Sequence, residues 1–541
     1  ENKNKKLSIY EYINNLKIST DNKGKGMSEA SEKDIRDGKF EKADEKEMNK
    51  FFNLNVFDLE RDFNPSVDKY ITARTIRTYK LITEGENEER IEKTRIVCKG
   101  FQDKREDLLT YSSTADKSIV YLIIMYALNK NFNVFKGDVK TAFLHADLDS
   151  NEDIFVELPE DIYNEYKDVL KGKRILKLLK AMYGLKDAPR QFNKYMKKKL
   201  ELMGWIEIYE SVFIYIKNNE VEGIITSHVD DLLLFSNIEN EKEILKNINN
   251  NFEIEEWIRI NDGELHRYAG ISLRYGKSEC IVDQCHYNNG IDIGDTDKIN
   301  IDKIKINERE MMVIDDSDSN IDKNLVPEAQ RLIGIIGWLT KTQPHLEYIF
   351  SQVSRSTLKP TPKFINTLKK IIIYMKNHSR GIILKGINNP YIITYADSSY
   401  KRVSYESRSG YMYFLGDEDK KEEKMKMNIN IFKWRTKLNK IIVDSTASSE
   451  LIAAKMALKG VYKYTDLIEK IWGIEKVKYI HYTDNLPLVR ILEKRKIEEE
   501  PRMNGCVRYS VQCLQELEGR IEWVSTKSML ADCLTKFLDV S

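Results

Sequence analysis

The stretch VFIYIKNNEVEGIITSHVDDLLLF, residues 212–235, holds two strand-like runs, Val212 to Lys217 and Gly223 to His228, linked by Asn218-Asn219. Asparagine tolerates the left-handed backbone of a two-residue turn, so the pattern predicts a hairpin. The second run leads into Asp230-Asp231 and then the apolar Leu232 to Phe235. Adjacent carboxylates repel each other, and between apolar strands the pair is costly unless a cation is near. An acidic pair in a solvent-exposed turn is the plainer alternative, and alone the pair is weak evidence.

Outward from the hairpin, Ser118 to Leu128 reads as a buried helix and Phe132 to Val139 as a strand ending at Asp138, with a helix start over Val139 to Leu144. Carboxylates gathered at a sheet edge suit two-metal phosphoryl transfer, in which the ions activate the attacking 3′-hydroxyl and stabilise the in-line transition state. A helix is expected over Lys39 to Asn53, strands over Tyr70 to Ile82 and Thr94 to Phe101 about an acidic turn near Gly85, and a helix over Glu241 to Phe252. Residues from about Asn289 to Pro327, including Asp315-Asp316-Ser317-Asp318-Ser319, read as a loop and candidate boundary. Helical blocks follow over Glu328 to Ser356 and Pro362 to Asn377.

Beyond Gly381 the periodicity changes. Strands are expected over Tyr391 to Ala396, over Ser409 to Leu415 and up to Trp434, with a charged loop over Gly416 to Lys426. A long helix over Ser448 to Trp472, a strand over Val477 to Tyr482 and two more helices complete a mixed α/β pattern. Four acids stand at element ends: Asp397 after a strand, Glu450 near the long helix's start, Asp484 after the next strand and Asp532 in the last helix. Each alone reads more simply as solvated or structural; as a converging set they suit metal-assisted phosphodiester hydrolysis.

Composition bounds the reading without choosing it. At 541 residues the chain is too long for one core, and 41% hydrophobic content supports globular packing. No apolar run approaches the roughly 18 residues of a membrane helix, and no signal pattern opens the chain, so a soluble intracellular protein is the expectation. Glu1 in place of Met fits a fragment or proteolytic product. The net charge of +1 does not favour nucleic acid, but Lys171 to Leu200 carries eleven Lys or Arg against the single acid Asp187. That run suits a phosphate track or, equally, a solvated helix face. The six cysteines, Cys98, Cys280, Cys285, Cys506, Cys513 and Cys533, form no C-x-x-C pair, and Cys280, Cys285 and His286 lack a fourth ligand at metal spacing.

Taken together the motifs resemble copia/Ty-type LTR retrotransposon Pol polyproteins, in the reverse transcriptase–ribonuclease H region. Asp138 to Leu144 is similar to the first palm motif, Tyr183 to Arg190 to the Y-G-L-K-Q-x-x-R segment, and His228-Val-Asp-Asp231 to the Y/F-V-D-D box. Thr94 to Phe101 resembles the fingers motif K-A-R-L-V-A-K-G-F, and Leu332-Ile-Gly334 with Gln343-Pro-His345 the R-L-I-G and R-P-D segment. Asp397 to Tyr400, the segment ending at Glu450, Thr483-Asp-Asn485 and Ala531 to Lys536 follow the family's nuclease pattern in order.

The resemblance implies a right-hand polymerase fold (fingers, palm and thumb), then a connection and an RNase H-like mixed-sheet domain. The expected division is a flexible lead-in over 1–34, fingers and palm over 35–240, end of palm and thumb over 241–288, thumb or connection over 289–388, and RNase H over 389–541. It implies Asp138, Asp230 and Asp231 as polymerase ligands, and Asp397, Glu450, Asp484 and Asp532 as nuclease ligands, of two Mg²⁺ per site with Mn²⁺ as a substitute. Arg95 and Lys99 would contact the triphosphate. Phe143 would crowd a ribose 2′-hydroxyl, unless it is a plain core aromatic, and Tyr183, Gly184 and Arg190 would border nucleotide or template. Implied partners are an RNA template, a DNA primer strand, the RNA–DNA hybrid, dNTPs, a tRNA primer, the integrase of the same polyprotein and a second copy of the chain, with no membrane. The implied setting is a cytoplasmic virus-like particle, with nuclear entry of the replication complex.

This sequence departs from the pattern at His228, where an aromatic is usual, at Asp187 for Gln, at Gln343 and His345 for Arg and Asp, and at Ser448 for the first Glu of E-A-E. No histidine follows His481, so the histidine that some retroviral nucleases carry near the fourth carboxylate is absent. Two other readings are a decayed or domesticated copy that only binds nucleic acid, and a nuclease beside a degenerate polymerase.

Overall fold

A computed structural model describes residues 28–84, 87–106, 108–148, 153–294, 320–401, 406–418 and 429–537. Most of the expected lead-in, the Gly85 turn, the Asp315–Ser319 run and most of the charged loop before Lys426 lie outside the described residues. One compact unit joins residues 1–105, 150–186 and 286–292, and the other joins 106–149, 187–285 and 293–541.

The first unit is built on a long hairpin, Tyr70–Glu84 against Asn87–Cys98. Phe155–Glu157 pairs parallel to its first strand, followed by Ile175–Leu178 and Phe57–Asp58. The helix Glu41–Asn53 turns Met48 and Phe51 inward, and Arg77 binds its Asp44 at 2.7 Å and Asp161 at 2.7 Å. Residues expected to lead in flexibly already have structure: Ser28–Glu29 is a strand, and Ser31 caps Glu32–Arg36 in a reciprocal capping box.

In the second unit, helix α1 (Lys117–Asn129) is buried from Ser118 to Leu128 and shares an apolar core with a six-stranded sheet. Its members include β1 (Asn133–Asp138), β2 (Val212–Lys217), β3 (Glu220–His228) and β4 (Asp231–Ser236), with helix α2 at Ala188–Leu202. Across the sheet the order is Ile258–Arg259, β1, β4, β3, β2 and Ile206–Tyr209. Asn218 and Asn219 take φ of +55° and +64°, the left-handed pair that a tight hairpin turn requires. After Asp138 the chain makes a left-handed step at Thr141 and a 3₁₀ turn, Ala142–His145, where a regular helix is expected.

The block expected as one helix over Glu328 to Ser356 is two, Val326–Leu339 and Glu347–Val353, parted at Pro344, whose ring cannot continue the hydrogen-bond ladder. Pro362–Asn377 forms as expected. No helix among the described residues is long and apolar enough to cross a membrane.

The C-terminal sheet contains β5 (Pro390–Lys401), β6 (Glu406–Asp417), β7 (Ile429–Leu438), β8 (Lys478–Thr483) and β9 (Arg520–Trp523). Its order is β7-β6-β5-β8-β9, with β5–β6 and β6–β7 antiparallel and β5–β8 and β8–β9 parallel. Helix α3 (Thr446–Trp472), capped by Ser445, packs on β5 and β6. This is the mixed α/β sheet expected beyond Gly381. Asp532 sits in a 3₁₀ segment, Leu530–Leu534, rather than in a regular helix.

Candidate active sites

Strand register brings the first carboxylates together. Asp138 ends β1 directly opposite Asp231, which starts β4, while Asp230 occupies the turn between β3 and β4. The Val139 amide donates to the Asp230 carbonyl at 3.2 Å, tying that turn to the end of β1. Val229 holds the turn with φ of +62°, a conformation strained for a β-branched residue. Burial, then Asp230 and Asp231, push the Asp138 carboxyl up to about 6, the expected response of an acid whose neighbours are also acids. Lys136, two residues back on the same face of β1, lies 3.5 Å from Asp231.

The remaining residues singled out for nucleotide contact fall in two groups. Arg95, Lys99, Tyr183 and Gly184 belong to the first unit, where the Cys98 amide donates to the Tyr183 carbonyl at 2.7 Å. Gly184, at φ of +87°, has its α-carbon against the Cys98 carbonyl, leaving no room for a side chain. Phe143 and Arg190 belong to the second unit with the three acids. The Phe143 ring lies edge-on to Phe192 at 6.3 Å and is half-buried.

Asp187, which stands for the usual Gln, is 1% exposed and accepts from the Gln191 side-chain amide at 3.1 Å. Much of the basic run is already paired, Lys173 with Asp62 at 2.6 Å, Lys177 with Asp153 at 2.7 Å and Lys197 with Glu207 at 2.5 Å, which weakens it as a phosphate track. Cys280 is buried and Cys285 half-buried, each with a free thiol.

The second cluster is tighter. Oxygens of Asp397, Asp484 and Asp532 lie within 4.8 Å of one another, and no other group of three such ligands does so among the described residues. Asp397 is 2% exposed, and burial pushes its carboxyl up to about 6 despite a hydrogen bond from the Thr535 hydroxyl. Glu450 is 4% exposed; its Oε1 accepts the Ser398 amide at 3.3 Å and its Oε2 has no partner. Burial and Asp397 hold the Glu450 carboxyl well above the usual range. The indole of Trp523 donates to the Asp484 carbonyl at 3.0 Å, fixing the end of β8 to the end of β9.

A buried carboxylate oxygen without a donor, beside three convergent oxygens, fits a hard divalent cation that takes oxygen ligands. Sequence reasoning missed Thr535 and Lys536, which touch these acids, although both lie inside the Ala531–Lys536 motif. It also missed Lys136. His481 is a core residue: buried, pushed down to about 4 by that burial, and bonded to Thr394 at 2.7 Å.

Residues 54–303 match the family described as reverse transcriptase (RNA-dependent DNA polymerase). Over 469 residues the chain is 22% identical to the retrovirus-related Pol polyprotein from transposon TNT 1-94 of Nicotiana tabacum, covering 82% of this chain and 33% of that protein. It is 23% identical over 521 residues to the corresponding polyprotein from transposon RE1 of Arabidopsis thaliana, covering 93% and 33%. It is 21% identical over 549 residues to the transposon Ty1-DR1 Gag-Pol polyprotein of Saccharomyces cerevisiae, covering 94% and 29%. The chain thus spans about a third of the length of these curated relatives. Among solved structures it is similar to a foamy viral protease-reverse transcriptase in complex with double-stranded DNA, at 11% identity and a TM-score of 0.44, covering 83% of this chain and 65% of that one.

Proposed function

We propose that the chain, whose residues 54–303 match the reverse transcriptase family and which is similar over most of its length to copia/Ty-type retrotransposon Pol polyproteins, copies RNA and DNA templates into DNA and cleaves the RNA of the resulting hybrid. The observation that carries this reading is the presence, in one chain, of two separate carboxylate clusters at sheet ends, one across β1 and β4 and one across β5 and β8.

At the polymerase centre Asp138 and Asp230 are the main ligands and Asp231 stands beside them. Mg²⁺, two per site with Mn²⁺ as a substitute, supplies Lewis-acid activation and charge neutralisation when bound. Arg95 offers a planar fork and Lys99 a point charge to the triphosphate of an incoming dNTP. Phe143 crowds the ribose 2′-position, and Tyr183, Gly184 and Arg190 border nucleotide and template. At the nuclease centre Asp397, Glu450, Asp484 and Asp532 orient the scissile phosphate and the attacking water. An RNA–DNA hybrid suits both centres because it is read through shape, phosphates and 2′-hydroxyls. The setting that goes with this reading is a cytoplasmic particle, with a tRNA primer and the integrase of the same polyprotein as partners.

Primer extension on an RNA template, with Mg²⁺, tests the first activity, and release of labelled RNA from a hybrid tests the second. Asp230→Asn is expected to abolish extension and spare cleavage, and Asp484→Asn to do the reverse. A wild-type chain that binds hybrid but performs neither reaction would leave a nucleic-acid-binding protein in place of an enzyme.

A further inference from the structure

Lys536 lies where the nuclease acids converge. Its Nζ donates to Asp532 Oδ1 at 2.8 Å and lies 3.7 Å from Asp397 Oδ2. Those carboxylates are 18% and 3% exposed, while the lysine side chain is 44% exposed. Thr535, its neighbour, is buried and donates its hydroxyl to Asp397. The amides of both residues turn back onto the Asp532 carbonyl, at 3.1 and 3.0 Å, so the backbone fixes the point from which the lysine reaches. Gly410 stands opposite Asp397 in β6, and a Cβ there would fall 2.5 Å from Leu534 Cβ. The sheet therefore admits this segment only because that position lacks a side chain.

An ammonium bridging two carboxylates supplies the positive charge that a divalent cation would supply to the same pair. The two cannot share the pair at full strength, because the lysine holds oxygens that the metal needs and adds like-charge repulsion. The exposed stem gives the ammonium a route into water, whereas Asp397 and Glu450 have none. We infer that Lys536 is an internal counter-cation of the nuclease centre: it holds Asp397 and Asp532 together, competes with the divalent ion and swings out when that ion binds. This rests on the nuclease reading of the four acids. It makes Lys536 a positioning residue that sets how much divalent metal the centre requires.

The test is direct metal binding to the full-length chain carrying Asp138→Asn and Asp230→Asn, so that the polymerase acids contribute little. Mn²⁺ is titrated and its free concentration followed by electron paramagnetic resonance. Lys536→Met and Lys536→Gln, both at a half-exposed site, are each expected to tighten Mn²⁺ binding by roughly three- to ten-fold, and Lys536→Arg to leave it within about two-fold, as the charge argument requires. Unchanged or weaker binding in the Met and Gln variants overturns the inference while leaving the nuclease reading intact. Absence of Mn²⁺ binding in every variant, Lys536 included, overturns both. Binding that Asp484→Asn does not weaken places the ion elsewhere and overturns both as well.

Discussion

At Glu450 burial has removed water from a carboxylate and returned a single donor, the Ser398 amide. A buried acid left in that condition destabilises the fold unless it is protonated or met by a cation. Glu450→Gln keeps the shape and removes the charge. In chelator it is expected to raise unfolding free energy by about 1–2 kcal/mol, to abolish hybrid cleavage and to spare primer extension. Thermal denaturation reads the first effect, and a loss of stability would contradict it. Asp138 and Asp397 extend the argument to pH. Both carboxyls rise from 3.8 to about 6 in the folded chain, so their unfavourable contribution is absent below about pH 4, grows between about 4 and 6 and is complete above. Stability in chelator is therefore expected to fall with rising pH across that window by more in the wild type than in Asp397→Asn. Urea denaturation at several pH values measures the difference, and parallel curves would exclude it. These acids were legible in the sequence because each stands in or beside an element whose periodicity is clear, although Asp397 lies inside β5 and not after it. Lys136 and Lys536 were not, because a lysine near an acid in sequence gives no sign of where its long side chain reaches.

Elements place these residues through backbone choices that side-chain chemistry alone does not announce. The β2–β3 hairpin was readable from Asn218-Asn219, whose turn geometry is local. The β3–β4 turn was readable at Asp230-Asp231 but its geometry was not, because the left-handed position falls on Val229, a poor left-handed residue, between His228 and Asp230. Val229→Gly removes that strain and is expected to stabilise the chain by about 1 kcal/mol, while primer extension falls several-fold because Asp230 is held less firmly. A variant both more stable and fully active would mean that the strain has no part in holding Asp230. The split at Pro344 was also missed, since apolar periodicity runs on through Leu346 and Ile349 although the backbone breaks. Gly410 gives the corresponding test at the nuclease centre. Gly410→Ala pushes Leu534 away from β6 and is expected to cut hybrid cleavage by an order of magnitude or more, about 1.4 kcal/mol of barrier per ten-fold, with primer extension preserved. Equal loss of both activities would point instead to general unfolding.

Across the second unit a single apolar cluster runs from Ile123 and Met125 of α1 through Val134 and Leu233 of the first sheet to Ile392 and Leu415 of the last sheet and Leu458 of α3. None of this was legible in the sequence, because a helix buried all round looks the same whichever neighbours bury it. Polar contacts along α1 follow the same path. Asp116 caps the helix at Ser118 and also receives Lys433 at 3.2 Å and Lys463 at 3.1 Å, both from the C-terminal domain. Lys117 donates to the Lys341 carbonyl at 2.8 Å and lies over the Trp434 ring, whose indole reaches the Thr340 carbonyl at 3.1 Å. At the far end Tyr126 meets Trp472 edge-on at 5.1 Å. The C-terminal sheet and α3 therefore share one core with α1 and the first sheet. Asp116→Asn, which leaves two lysines facing a neutral amide, is expected to lower stability by about 2 kcal/mol. Its effect should fade below about pH 4, because the Asp116 carboxyl, held below its usual range by the two lysines and the Ser118 amide against burial, loses its charge only in acid. The stronger test is a chain ending at residue 388. With the outer face of α1 stripped, it is expected to be insoluble, or to unfold without a cooperative transition, and to extend no primer. A soluble, polymerising 1–388 chain would mean that the shared core adds nothing the palm needs, and that the two activities are joined only by the peptide chain.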